Sequence, residues 1–124
     1  AIILDFWATW CGACVSAFPK NEEIVSKHSD GLAIIPVTYE PAAKVSKFIS
    51  GLREKRGWPL AMPFVTDNTW LGKLFPHQSL PHYVWISADR KVVAITSSQQ
   101  INEENVGKLL AGGPLDLEVK KESY

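Results

Sequence analysis

The first 20 residues, AIILDFWATWCGACVSAFPK, carry the strongest fold signal in this chain of 124 residues. Residues 2–7 are almost wholly apolar, which is typical of a central strand buried on both faces of a sheet. Two cysteines follow, and apolar residues then recur at helical spacing. The stretch predicts a strand that leads into a helix, with Cys11 at the N-terminus of the helix and Cys14 one turn further. Pro19 is expected to kink this helix because it lacks an N–H donor.

The rest of the chain continues to alternate strand and helix patterns. Apolar runs at 32–39, 64–66, 82–87 and 92–96 predict strands, and the last two read as a hairpin. Helical patterns precede or separate them at 41–52 and 69–74, and a final helix follows Asn102. The order β-α-β-α-β-(α)-β-β-α implies parallel strands first and an antiparallel pair last. We therefore expect an α/β sandwich with a mixed central sheet and helices on both faces.

Composition and charge narrow the function classes. The 13 basic and 13 acidic residues balance, which leaves no electrostatic footprint for nucleic acid or an anionic membrane. No apolar run reaches the roughly 18 residues of a membrane helix. We predict one domain over residues 1–113 and a C-terminal tail or linker stub over 114–124, in which 115–119 could form a short edge strand. Because the chain begins at Ala1 inside a strand pattern, we expect any leader, membrane anchor or preceding domain to lie outside it.

The two cysteines are the candidate chemistry. A thiol at a helix N-terminus has a pKa below the value of roughly 8.5 that a free cysteine has, and the thiolate is the attacking species. Cys11 would attack and Cys14 would resolve, so that the pair cycles between dithiol and disulfide. Half of a zinc site is an alternative, although a second cysteine pair and a spaced histidine pair are missing from the sequence. An inert structural disulfide is the other alternative.

The residues also carry a family resemblance. The stretch 4–14, LDFWATWCGAC, resembles the active-site signature of the thioredoxin superfamily, and 80–86, LPHYVWI, resembles its cis-proline loop and following strand. The segment PFVTD at 63–67 and the context FWATWC are similar to TlpA/ResA-like thiol–disulfide oxidoreductases. The resemblance runs from Ile2 to about Leu110. It implies a thioredoxin-like three-layer sandwich.

The resemblance also implies roles for single residues. Cys11 corresponds to the nucleophile and Cys14 to the resolving thiol. Pro81 corresponds to the cis-proline that faces the disulfide and keeps metal away from the thiols, and the backbone of Leu80 to the segment that pairs with an extended substrate. Asp5 corresponds to the buried acid that takes the proton of the resolving thiol.

Further positions around the cysteines are expected to form the substrate surface. Trp10 is expected to act as a contact surface beside Cys11. Gly12 and Ala13, between the cysteines, complete that surface and tune the reduction potential. Ala13 replaces the proline of thioredoxins, which leaves the direction of the reaction open.

Two of these positions have plainer alternatives, and two further residues are each open to two interpretations. Pro81 could be a trans loop proline, and Asp5 a partly solvated carboxylate at a strand end. We expect Glu40 to cap the next helix, with a second acid at the site as the alternative. Arg90 replaces a glycine of the family in the hairpin, so either it takes a positive φ or the turn is altered.

The predicted function is that of an enzyme, a thiol–disulfide oxidoreductase that reduces protein disulfides through a mixed disulfide. It needs no cofactor and no metal, but an upstream thiol–disulfide donor must return electrons to the pair. The resemblance implies a monomer in the periplasm or another extracytoplasmic place, tethered to a membrane only by a segment outside this chain; a cytoplasmic location is the alternative. The rival functions are a non-catalytic binding module with the same fold and, more remotely, a peroxiredoxin.

Overall fold

A mixed four-stranded sheet forms the centre of the protein. The computed structural model describes residues 1–121, and its strands are β1 (Ile2–Phe6), β2 (Ala33–Val37), β3 (His82–Ile86) and β4 (Val92–Thr96). Their order across the sheet is β2-β1-β3-β4. β1 runs parallel to β2 and antiparallel to β3, and β3 runs antiparallel to β4. The mixed sheet predicted from the sequence is confirmed.

The helices are α1 (Gly12–Ser16), α2 (Phe18–Lys27), α3 (Ala42–Arg56), α4 (Trp70–Leu74) and α5 (Glu103–Ala111). α1 and α2 follow one another with a break at Ala17. Pro19 occupies the first turn of α2, where its missing N–H has no partner to lose. The kink predicted from Pro19 takes the form of a one-residue interruption at Ala17, whose backbone angles remain helical, and α1 is a short helix before it.

Helices cover both faces of the sheet. Because side chains alternate along a strand, Ile3 packs in one cluster with Ile24 of α2 and Val106 of α5. Leu4 and Phe6 belong to a different cluster, against which Leu71 and Phe75 of the α4 region pack. The α/β three-layer architecture expected from the sequence is therefore present.

The strand predicted at 64–66 is wrong. Only Val65 pairs with the sheet, through an isolated parallel bridge to Val37 beyond the outer edge of β2. A tight turn from Phe64 N–H to the Met62 carbonyl precedes it, and Asp67 follows with a φ of 54°. These two irregular positions leave no room for a longer ladder, so the segment crosses the end of the sheet as a loop.

The edge strand considered at 115–119 is also absent. Leu115 and Leu117 instead pack against the hydrophobic core. The N–H of Lys120 donates to the carbonyl of Ile95 on β4, at 2.9 Å. The alternating pattern of the tail thus reflects packing onto the core. Residues 122–124 of the predicted tail lie outside the described residues.

The hairpin between β3 and β4 keeps its turn despite the missing glycine. Arg90 has a φ of 68°, and its N–H donates to the carbonyl of Ser87. The N–H of Ser87 in turn donates to the carbonyl of Lys91. The positive φ considered for Arg90 is therefore observed, and the turn holds a non-glycine residue in a strained region.

Candidate active site

Cys11 and Cys14 lie where β1 leads into α1, as the sequence predicted. Cys11 is the N-cap of α1, and the two residues form a disulfide with their Cα atoms 5.3 Å apart. The N–H of Cys14 donates to Sγ of Cys11 at 3.2 Å. Cys11 retains 6% exposure and Cys14 none. Cys11 is therefore the less buried residue of the pair, and a backbone N–H is already in place to stabilise its thiolate.

Exposed residues surround Cys11. Trp10 is 65% exposed, and Gly12 and Ala13 are exposed as well. A Cβ placed on Gly12 would meet no atom within 4 Å, so the surface between the cysteines is open. The indole N–H of Trp10 donates to the hydroxyl of Tyr39 at 2.8 Å, which fixes the ring at the rim of the site.

The loop before β3 approaches the cysteines. Leu80 packs against the hydrophobic cluster that contains Cys11 and Cys14. The peptide bond between Leu80 and Pro81 is cis. Both residues are half-buried. The two sequence motifs, about 70 residues apart in the chain, thus meet at one end of the sheet.

A pocket of about 190 Å³ lies next to this loop. Aromatic and aliphatic side chains form much of its wall, with polar groups from the loop that precedes α4 and from the end of β2. The lining residues are Phe6, Trp7, Val37, Thr38, Tyr39, Asn68, Thr69, Gly72, His77 and Leu80. Asp, Glu, Lys and Arg are absent from this lining.

Asp5 is completely buried, which excludes the partly solvated carboxylate considered as an alternative. It pairs across the sheet with Tyr83, whose hydroxyl accepts a hydrogen bond from the Asn21 amide at 3.0 Å. Burial raises the pKa of Asp5 to about 8, and the polar groups of Asn21 and Tyr83 and the charge of Lys20 only partly oppose that rise. Asp5 can therefore hold or release a proton near neutral pH.

Glu40 is the residue whose position sequence reasoning assigned wrongly. It was expected to cap α3, but the N-cap of α3 is Pro41 and the Glu40 side chain is only 2% exposed. Its carboxylate accepts hydrogen bonds from the N–H and the hydroxyl of Thr9, at 2.6 and 2.7 Å. The signal that could have found it is its place directly after β2, because parallel strands end at the same edge of a sheet.

The environment of Glu40 is opposite to that of Asp5. Burial alone would raise the pKa of Glu40, but the donors of Thr9 and the ammonium of Lys44, 3.0 Å away, hold it below its usual range. Glu40 is thus ionised at neutral pH, whereas Asp5 titrates near it.

Two other features of residues 1–121 concern metals and membranes. Within this range, no three His, Cys, Asp or Glu side chains are grouped so that they could hold a metal ion. The helices in the same range are too short or too polar to cross a membrane.

Sequence comparisons find related proteins. The thioredoxin family matches residues 1–50. The thioredoxin-like protein YneN of Bacillus subtilis (strain 168) is 28% identical over 80 residues, which are 64% of this chain and 46% of YneN. The chain thus spans less than half the length of that relative.

Solved structures agree with the fold. The pneumococcal exposed lipoprotein thioredoxin Etrx1 from Streptococcus pneumoniae strain TIGR4 superposes with a TM-score of 0.69 at 22% identity, over 90% of this chain and 83% of Etrx1. A thiol-disulfide oxidoreductase from Bacteroides fragilis NCTC 9343 gives 0.64 at 18% identity, over 87% and 77% of the two chains. At such identities the likeness establishes the fold alone. Residues 1–50 thus match the thioredoxin family, and the fold of the described residues is thioredoxin-like.

Proposed function

We propose that this protein is a TlpA/ResA-like thiol–disulfide oxidoreductase that reduces disulfides of other proteins. The observation that carries the proposal is the Cys11–Cys14 pair at the end of β1, in which Cys11 is the less buried residue and Cys14 is fully buried. An inert structural disulfide has no need of this asymmetry. The fold is shared with a thiol-disulfide oxidoreductase of Bacteroides fragilis, and the likeness to the thioredoxin-like protein YneN also supports the proposal.

The reaction proceeds in two exchanges. The Cys11 thiolate attacks one sulfur of the substrate disulfide, a Cys11–substrate bond forms, and the other substrate sulfur leaves as a thiolate. Cys14 then loses its proton and attacks Sγ of Cys11, which closes the Cys11–Cys14 bond and releases the second substrate thiolate. The substrate gains two electrons and the cysteine pair loses two. An upstream dithiol must reduce the pair before the next cycle.

Asp5 acts in the second exchange. A resolving thiol that is fully buried needs a nearby base, and water cannot reach Cys14. Since Asp5 titrates near pH 8, its carboxylate can accept the Cys14 proton without holding it too firmly. Asp5 is the proton acceptor in this account.

The substrate lies over the exposed rim. Trp10, Gly12 and Ala13 supply an open contact surface beside Cys11. The backbone of Leu80, followed by cis-Pro81, pairs with an extended substrate segment as an added strand would. No cofactor or metal takes part in this scheme.

Location and organisation complete the proposal. An extracytoplasmic site of action is supported by the likeness to Etrx1, which is described as an exposed lipoprotein. The chain acts as a monomer, with a thioredoxin-like domain over 1–113 and a tail over 114–124. The contacts of Leu115, Leu117 and Lys120 support a tail that docks onto the domain, at least as far as residue 121.

A trapping experiment separates this enzyme from a binding module with structural cysteines. In the Cys14→Ser variant the mixed disulfide cannot resolve, so Cys11 should retain substrate proteins in complexes that dithiothreitol releases. The matched Cys11→Ser variant should retain none. If the Cys14→Ser protein forms no mixed disulfide with any oxidised protein substrate, the enzymatic proposal fails and the binding module replaces it.

A further inference from the structure

We propose that Glu40 is a positioning residue of this site: its buried carboxyl group accepts hydrogen bonds that hold the loop carrying Cys11. The inference rests on the proposed function, which it deepens by assigning a residue outside the two sequence motifs. Glu40 forms no hydrogen bond with either cysteine, and it affects the reaction through its hydrogen bonds with Thr9. It is distinct from the proton acceptor Asp5.

The loop after β1 and the loop after β2 are joined by hydrogen bonds between two consecutive residues of each. Both oxygens of the Glu40 carboxylate accept hydrogen bonds from Thr9, one from its N–H and one from its hydroxyl. The neighbouring residues form the second link, between Trp10 Nε1 and the Tyr39 hydroxyl. Thr9 lies two residues before Cys11. The hydrogen bonds therefore join the turn after β2 to the turn after β1 immediately before the nucleophile.

The Glu40 turn is itself firmly anchored. The carbonyl of Glu40 accepts a hydrogen bond from the N–H of Asp67 at 2.9 Å. Its N–H donates to the hydroxyl of Thr38, whose own N–H donates to the carbonyl of Val65. The irregular segment around Val65 and Asp67 thus fixes the turn that carries Glu40. The Glu40 carboxylate in turn fixes the loop that leads to Cys11.

The contacts favour positioning over proton transfer. A carboxylate with both oxygens occupied by the donors of Thr9, and with Lys44 3.0 Å away, is stabilised as an ion. Asp5, by contrast, has no well-formed hydrogen bond at either carboxylate oxygen within residues 1–121, and the polar groups of Asn21 and Tyr83 only weakly oppose the rise of its pKa. Two acids whose environments differ in this way serve different tasks.

The loop position matters because the sulfur of Cys11 depends on it. The N–H of Cys14 reaches Sγ of Cys11 only if Cys11 stays at the N-cap of α1. A looser Thr9 turn would lengthen that hydrogen bond and raise the pKa of the Cys11 thiol. Displacement of reacting groups by about 1 Å can cost roughly 100-fold in rate.

Replacement of Glu40 by two different residues tests the role. Glu40→Ala removes both acceptors, whereas Glu40→Gln removes the charge and keeps one carbonyl acceptor for the Thr9 N–H. We expect Glu40→Ala to slow the reduction of insulin disulfides by roughly 10- to 100-fold, and Glu40→Gln by no more than about threefold. Glu54→Ala, on an exposed part of α3, is the matched control and should reduce insulin at the wild-type rate.

A second readout gives the direction of the effect. In the Cys14→Ser background, the pH dependence of Cys11 alkylation by iodoacetamide reports the pKa of that thiol. Positioning predicts a raised pKa of Cys11 in Glu40→Ala and a nearly unchanged one in Glu40→Gln. A through-space effect of the charge predicts a lowered pKa in both variants, because an anion near the thiolate would be lost.

Three results would overturn the proposal: insulin reduction as slow in Glu40→Gln as in Glu40→Ala, a wild-type rate in folded Glu40→Ala, or a lowered pKa of Cys11 in both variants. Far-UV circular dichroism monitors folding. If Glu40→Ala does not fold, Thr9→Val provides the test, since it removes one donor to Glu40 and should also slow the reaction and raise the pKa of Cys11. If the wild type reduces no disulfide while the alkylation pattern holds, the proposed function fails and the positioning role stands.

Discussion

Replacing Asp5 by asparagine should stabilise the protein, and by an amount that depends on pH. The pKa of Asp5 is about 8 in the folded protein and 3.8 when the group is unperturbed, as in the unfolded chain. Between these values the folded protein holds a proton that the unfolded chain has released. The free energy of unfolding therefore falls by about 1.4 kcal/mol for each pH unit that is gained in this window.

The magnitude at pH 7 follows from the same two pKa values. A pH of 7 lies about three units above the unperturbed pKa of Asp5. The buried carboxyl therefore lowers the free energy of unfolding by on the order of 4 kcal/mol relative to a neutral group. Asparagine has the shape of the protonated acid and cannot ionise. The Asp5→Asn protein should therefore be more stable at pH 7 by several kcal/mol.

Urea denaturation of the two oxidised proteins from pH 5 to pH 9 measures this difference directly. Other titrating groups are shared by both proteins and cancel in the comparison. The stability advantage of Asp5→Asn should grow with pH up to about 8 and then level off. An advantage that stays constant between pH 5 and pH 8, or an asparagine variant that is less stable throughout, would show that folding does not raise the pKa of Asp5.

Three smaller predictions test other parts of the structure. Tyr83→Phe should raise the pKa of Asp5 still further, because the lost hydroxyl lowers it in the wild type; a carboxyl titration by NMR measures this, and an unchanged value would contradict the contact. Arg90→Gly should stabilise the protein by about 0.5–1 kcal/mol in urea denaturation, since glycine takes a φ of 68° without strain; a destabilised variant would mean that the Arg90 side chain has a role of its own. Asn102→Ala should lower the free energy of unfolding by about 1 kcal/mol, because the Asn102 side chain accepts a hydrogen bond from the N–H of Asn105 at the start of α5. An unchanged melting temperature would contradict that cap.

The features that could be predicted from the sequence are those encoded locally. The apolar run at 2–7 followed by the cysteines specifies a strand, a loop and a helix, and the structure has all three. The interruption of the helix next to Pro19 follows from a single residue with a strong backbone preference. Such signals need no knowledge of distant contacts.

The features that were missed depend on contacts between distant segments. Glu40 lies 31 residues from Thr9, and its place after β2 puts it near the site without distinguishing a helix cap from a buried acceptor. Asn21 and Tyr83, 62 residues apart, meet only because α2 packs over the sheet. The segments 64–66 and 115–119 have strand-like patterns, yet neighbouring turns and core packing decide their conformation. Tertiary context overrides local propensity at these positions.

The reduction potential of the Cys11–Cys14 pair decides whether this protein is a disulfide reductase. Equilibration of the protein in dithiothreitol or glutathione buffers, followed by alkylation and mass measurement, gives the ratio of dithiol to disulfide. A protein disulfide reductase should equilibrate reversibly, with a potential near the roughly −270 mV of thioredoxin. A potential near the roughly −120 mV of a strong oxidant would contradict the proposed direction, and a pair that never exchanges with the buffer would contradict the enzyme itself.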